Sequence, residues 1–97
     1  MTETSINYAK ALYELSVPEE AVLETEKIFR STPQLKGALE NPLVSLKEKE
    51  HVIDRVFPQE MKNFLKVTCK YQKISSIYDI LETYGDYSLS LIHISEP

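Results

Sequence analysis

Prolines cut this chain into short pieces. Pro18, Pro33, Pro42 and Pro58 recur along it, and Gly37 and Gly85 are its only glycines. Proline lacks a backbone N–H and breaks a helix interior, but at the first helical position the missing donor costs nothing. Each of the four prolines is therefore read as the first or near-first residue of a helix. The result is a run of short helices joined by tight turns. Short helices persist only by burying their apolar stripes against one another. The predicted class is all-α, a six-helix bundle.

The segments follow from apolar spacing and caps. The first helix covers 5–16. The second runs from Pro18 to about Ser31, with Glu19 and Glu20 suiting the dipole of its first turn. Its stripe is thin: Val22, Glu26 and Phe29, with Ile28 beside it. Thr32 is expected to cap a short third helix through Leu35, Ala38 and Leu39, ending at Asn41-Pro42. Ser45-Leu46-Lys47-Glu48 has the form of a capping box and opens a fourth helix facing in through Leu46, Ile53 and Val56. Pro58 opens the fifth, where Met61, Phe64, Leu65 and Thr68 keep the i, i+3, i+4, i+7 spacing. Tyr71-Gln72-Lys73 reads as a turn. Ser75 or Ser76 caps a sixth helix with a stripe of Ile74, Ile77, Tyr78, Leu81 and Tyr84. Gly85 weakens its far end, by about 1 kcal/mol relative to alanine.

The first helix carries more apolar surface than one core can use. At 100° per residue, Ile6, Ala9 and Tyr13 fall on one side, and Tyr8, Ala11 and Leu15 on the other; Leu12 bridges them. A surface helix needs only one apolar stripe. The side with Ile6, Ala9 and Tyr13 is assigned to the bundle. The side with Tyr8, Ala11 and Leu15 is left for a second neighbour, and its small residue lets a partner backbone approach closely. This is a docking element.

Bulk properties exclude several functions. Ninety-seven residues make one domain at most. A net charge of −4, with lysines interleaved among glutamates, lacks the basic field of a nucleic-acid binder. No apolar run approaches the roughly 20 residues of a membrane span, so no direct membrane insertion is expected. The start is polar and acidic, unlike a secretory signal. Cys69, the one cysteine, fits a reducing compartment.

No constellation builds a catalytic centre. His51 has only Asp54 within helical reach as a second ligand, too few for a zinc site, and reads as a solvated surface histidine. Cys69 sits beside the fifth helix's stripe. Lys66, Lys70 and Lys73 near it could lower its pKa, but a half-buried structural cysteine is the simpler reading. Lys47-Glu48-Lys49-Glu50 reads as a solvated face. There is no glycine-rich phosphate loop and no nucleophilic triad. No catalytic residue, cofactor or metal is assigned, and the expectation is a non-enzyme.

The last nine residues, 89–97, break the pattern. Leu-Ser-Leu-Ile-His-Ile-Ser-Glu-Pro alternates like a strand without a partner strand. It is similar to one reading frame of a transposon-derived sequencing adapter (CTG TCT CTT ATA CAC ATC TCC GAG CCC). The expectation is a native domain over 1–88 followed by a tail of translated adapter, in which His93 has no meaning.

Tyr8-Ala9-Lys10-Ala11-Leu12-Tyr13, the 33–39 segment, Asn41-Pro42-Leu43-Val44-Ser45-Leu46-Lys47-Glu48-Lys49 and Phe64-Leu65-Lys66-Val67 occur in this order. The series resembles the delta subunit of bacterial F-type ATP synthase, the family that includes the mitochondrial oligomycin-sensitivity conferral protein. The likeness covers about 6–88. It implies a six-helix N-terminal domain that sits on the catalytic head and binds the N-terminal helix of an alpha subunit. Helices one and five line the groove in that family. Carried over, the partner-binding residues are Tyr8, Ala11, Leu12 and Leu15, with Phe64, Val67 and Tyr71. The resemblance further implies a stator role in coupling proton or sodium flow to ATP synthesis, at the cytoplasmic side of the cell membrane. It implies that the family's C-terminal domain, which grips the peripheral-stalk b subunit, is absent. The alternative is a generic helical adaptor for another amphipathic helix.

Overall fold

Six α-helices make up this fold, in a computed structural model that describes the backbone of residues 2–94 and the side chains of residues 2–86. They are α1 (Glu3–Glu14), α2 (Glu19–Ser31), α3 (Pro33–Glu40), α4 (Leu46–Val56), α5 (Gln59–Lys70) and α6 (Ile77–Ile94), with a 3₁₀ turn at Ile74–Ser76. Among the described residues there is no strand, so the all-α expectation holds. The strand-like alternation of the tail does not become a strand: 89–94 continue α6 as helix. Residues 95–97 and the side chain of His93 lie outside the described residues. Gly85 is passed without a break.

Most punctuation acts as its chemistry dictates. Pro33 occupies the first turn of α3, and Pro18 and Pro58 immediately precede α2 and α5. Pro42 differs. It lies in a turn where Asn41 Oδ1 accepts from the Leu43 N–H at 2.9 Å and the Asn41 carbonyl accepts from the Val44 N–H at 3.1 Å. Asparagine makes that turn by mimicking a backbone carbonyl. Ser45 Oγ accepts from the Glu48 N–H at 3.2 Å, the serine half of the capping box. Thr32 was expected to cap α3 with its hydroxyl, but it makes no side-chain cap bond; its carbonyl accepts from the Leu35 N–H at 3.0 Å. The α5 helix ends in a Schellman arrangement. The Gln72 N–H bonds the Cys69 carbonyl, the Lys73 N–H bonds the Thr68 carbonyl, and Gln72 takes φ 57°.

The chain divides into two units. One is the pair α1 and α6, the first helix against the last. In α1 the fully buried line is Ser5, Ala9 and Leu12. The Ser5 hydroxyl donates to the Asp79 carboxylate, which lets a polar side chain sit at that position. The Tyr13 and Tyr84 rings lie 6.5 Å apart, tilted by 47°. The expected inner side of α1 is therefore corrected. Ala9 is buried, but Ile6 and Tyr13 are exposed, and Leu12, read as a bridge, is central. Ile6 and Tyr13 stand roughly 90° round the helix from the buried line. An apolar count misses this because Ser5, a polar residue, sets one end of the line. In α6 the buried residues are Ile77, Ile80, Leu81, Thr83 and Tyr84; Tyr78 is only half-buried and Ile80 replaces it.

The other unit holds α2 to α5 within Pro18–Ser75, with α4 on α5 and α2 on both α3 and α5. Met61, Phe64, Leu65 and Thr68 are all buried, as their spacing predicts. The Phe29 and Phe57 rings meet at 5.0 Å. Two threonines are buried by bonding back to their own helices: Thr25 Oγ1 to the Ala21 carbonyl at 2.8 Å, and Thr68 Oγ1 to the Phe64 carbonyl at 2.7 Å. The buried line of α2 is Ala21, Val22, Thr25 and Phe29; Glu26 instead pairs with Arg30 at 3.0 Å. In α4, Leu46 and Val56 are exposed, and the buried line is Lys49 and Ile53, followed by Phe57. The fully solvated reading of the Lys47–Glu50 stretch is thus wrong at Lys49. Lys66 pairs with Asp54 at 2.8 Å, joining α5 to α4.

The Ser5 hydroxyl holds the Asp79 carboxyl below its ordinary range. A lowered folded-state pKa adds stability above the unfolded value, and that stability is lost as pH falls through the folded one. Ser5→Ala should raise the Asp79 pKa toward the ordinary value and narrow the fall in stability on acidification. Carboxyl titration by NMR, with melts at neutral and acidic pH, checks both.

Candidate functional site

Three residues of α1 were singled out for a partner on its outer side: Tyr8, Ala11 and Leu15. Tyr8 is half-buried, Ala11 is exposed and Leu15 is 57% exposed. They follow i, i+3, i+7 spacing, so they form a stripe along one side. Leu12, assigned to the same set, is completely buried.

The α5 set behaves in parallel. Val67 is 48% exposed and Tyr71 58%, while Phe64 is buried. These three also follow i, i+3, i+7 spacing. The Lys70 ammonium lies 5.8 Å from the Tyr71 ring centre, a cation–π contact that leaves the ring solvated. Each helix thus presents exposed apolar residues in continuity with a buried one.

The chemistry-bearing residues are placed otherwise. His51 is exposed on α4. Cys69 is buried, and burial pushes its thiol up to about 11; Lys49 opposes that shift but does not outweigh it. Cys69 is thus buried more fully than the half-buried structural cysteine expected of it. Among the described residues no three His, Cys, Asp or Glu side chains come together as a metal site. Among them, too, no helix is long and apolar enough to cross a membrane.

Sequence reasoning did not reach the concave surfaces of the domain. A pocket of about 220 Å³ is lined by Leu39, Glu40, Pro42, Lys49, Gln72 and Ser75. Lys49 stands four residues after Ser45 and four before Ile53, so helical spacing already put it on the inward line of α4. The alternation of lysine and glutamate around it hid that spacing.

The described residues define an all-helical domain whose α1 and α5 each expose apolar side chains. Comparison with known proteins makes this specific. The family model described as ATP synthase delta (OSCP) subunit matches residues 5–92. The ATP synthase subunit delta of Clostridioides difficile (strain 630) is 33% identical over 91 residues, taking in 81% of this chain and 50% of that protein. No solved structure matches the chain significantly. The chain belongs to the ATP synthase delta (OSCP) subunit family, a family of structural, non-catalytic subunits. It spans about half the length of the curated relative it matches.

The raised thiol gives a direct check. Folded protein at neutral pH should react with a thiol reagent far more slowly than unfolded protein, because little thiolate forms and the sulfur is covered. Time-resolved labelling with and without denaturant measures this. Equal rates would show an accessible, ordinary Cys69.

Proposed function

We propose that this chain is the head-binding part of the stator in an F-type ATP synthase. It holds the N-terminal helix of an alpha subunit and helps keep the catalytic head still while ion flow, of protons or sodium, drives ATP synthesis. Family membership supports the assembly. The single observation that carries the finer reading is the exposed stripe on α1, ending in Leu15 at 57% exposure, on a helix whose buried line lies elsewhere.

In this reading the contacts are Tyr8, Ala11 and Leu15 on α1, and Val67 and Tyr71 on α5. Leu12 and Phe64 belong to the same sets but are already buried. They add little new contact area, and their role is to fix the helices that present the others. The mode is helix-in-groove recognition, driven by apolar area removed from water. The b subunit of the peripheral stalk is reached through sequence corresponding to the unmatched half of the relative. The complex holds the chain at the cytoplasmic face of the cell membrane, as a peripheral component. We propose as well that 89–97 are translated adapter; finding the same codons in genomic context would contradict that.

Titration of a labelled alpha-subunit N-terminal peptide tests the binding. Val67→Asp should weaken it about tenfold or more, since burying one such side chain is worth about 1.5–3 kcal/mol. Helical circular dichroism and melting temperature should stay near those of the parent. Absent binding in the parent chain, or undiminished binding in both Val67→Asp and Tyr8→Arg, contradicts the reading.

A further inference from the structure

We propose that the helix docked on α5 runs antiparallel to it, with carboxylates in its first turn and cations toward its last. This rests on the reading of the α5 stripe as a docking face, and adds the direction and the charge of its occupant. Glu60, Phe64, Val67 and Tyr71 follow i, i+4, i+7, i+11 spacing. Glu60 therefore heads the same side of α5 that exposes Val67 and Tyr71. Lys70 stands three residues after Val67, at the flank of that side. Glu60 and Lys70 are ten residues apart, about 15 Å along the helix axis.

The two ends of this face carry opposite charge. At its start, Glu60 lines a pocket of about 200 Å³ together with Glu20 and Glu24 of α2. Among the described residues these carboxylates form no metal site; their common effect is a negative field. The starts of α2 and α5 each contribute about half a positive charge, which three carboxylates outweigh. At the far end stand Lys70 and Lys73, against about half a negative charge from the carbonyls that end α5. Lys66 adds nothing there, because Asp54 on α4 pairs with it at 2.8 Å. None of Glu20, Glu24, Glu60, Lys70 or Lys73 is in an ion pair among the described residues. The Lys70 ammonium lies 5.8 Å from the Tyr71 ring centre, an attraction that leaves its charge in place. A helix is itself most stable with acids in its first turn and bases in its last. Laid on α5, such a helix brings its acids to Lys70 and Lys73 and its bases to the glutamates only when it runs antiparallel.

The test places a nitroxide on the first or the last residue of the alpha-subunit N-terminal peptide and follows backbone amides of the whole chain. The N-terminal label should broaden Gln72 and Lys73, and the C-terminal label Glu60. Lys70→Gln should weaken binding about threefold at about 0.01 M salt. The loss should vanish at about 1 M, where the screening length falls to about 3 Å. Most of it should lie in the association rate, as expected of a charge at the rim of a contact. Lys70→Arg keeps the charge and the ring contact, and should bind as the parent does. Lys70 is exposed, so both variants should melt with the parent. Reversed broadening, or equal broadening at both ends from either label, overturns the proposal. So does a Lys70→Gln chain that binds undiminished at low salt, or whose loss salt does not touch. In each of these cases Val67→Asp would still weaken binding, and the docking reading would stand. A peptide that does not bind the parent chain at all overturns both.

Discussion

The contact between the first and last helices is the constraint on which the rest of the α1–α6 unit depends. It joins residues separated by the whole of Pro18–Ser75, so ordering them carries a loop-closure cost that local helix propensity does not offset. Ala9 and Leu12 offset it by complete burial, and Ala9 is small enough for close approach. The Ser5 hydroxyl bonded to Asp79 fixes the rotation of α1 about its own axis. Once that rotation is set, the fate of every other side chain on α1 follows. Ile6 and Tyr13 fall on one flank, Tyr8 and Leu15 on the other.

Polar residues on buried lines recur through the fold, each with its own means of satisfaction. Ser5 uses a carboxylate on another helix, and Thr25 and Thr68 use carbonyls of their own helices. All three cases are solutions to folding.

Much of the fold was legible because prolines and caps act locally. The helix ends at Pro18, Pro33, Ser45 and Pro58 lie close to where their chemistry puts them, and the stripe of α5 was read correctly residue by residue. What escaped is what depends on a neighbour. The inward line of α1 was misread by roughly a quarter turn because its end is a serine whose partner is 74 residues away. Leu46 and Val56 look inward by hydropathy alone, but α4 turns Lys49 and Ile53 to its neighbours instead. Of the candidate contact residues, spacing identified the stripes, but only packing could separate exposed Leu15, Val67 and Tyr71 from buried Leu12 and Phe64.

The central claim is that α1 spends one line of residues on the fold and leaves another for a partner. The most direct measurement compares the stability to denaturant of Ala9→Asp and Leu15→Asp. The first puts a carboxylate into a fully buried site and should cost about 3 kcal/mol or more. The second, on an exposed residue, should stay within about 0.5 kcal/mol of the parent. A Leu15→Asp chain destabilised as much as Ala9→Asp would show that both lines belong to the core, and would contradict the account.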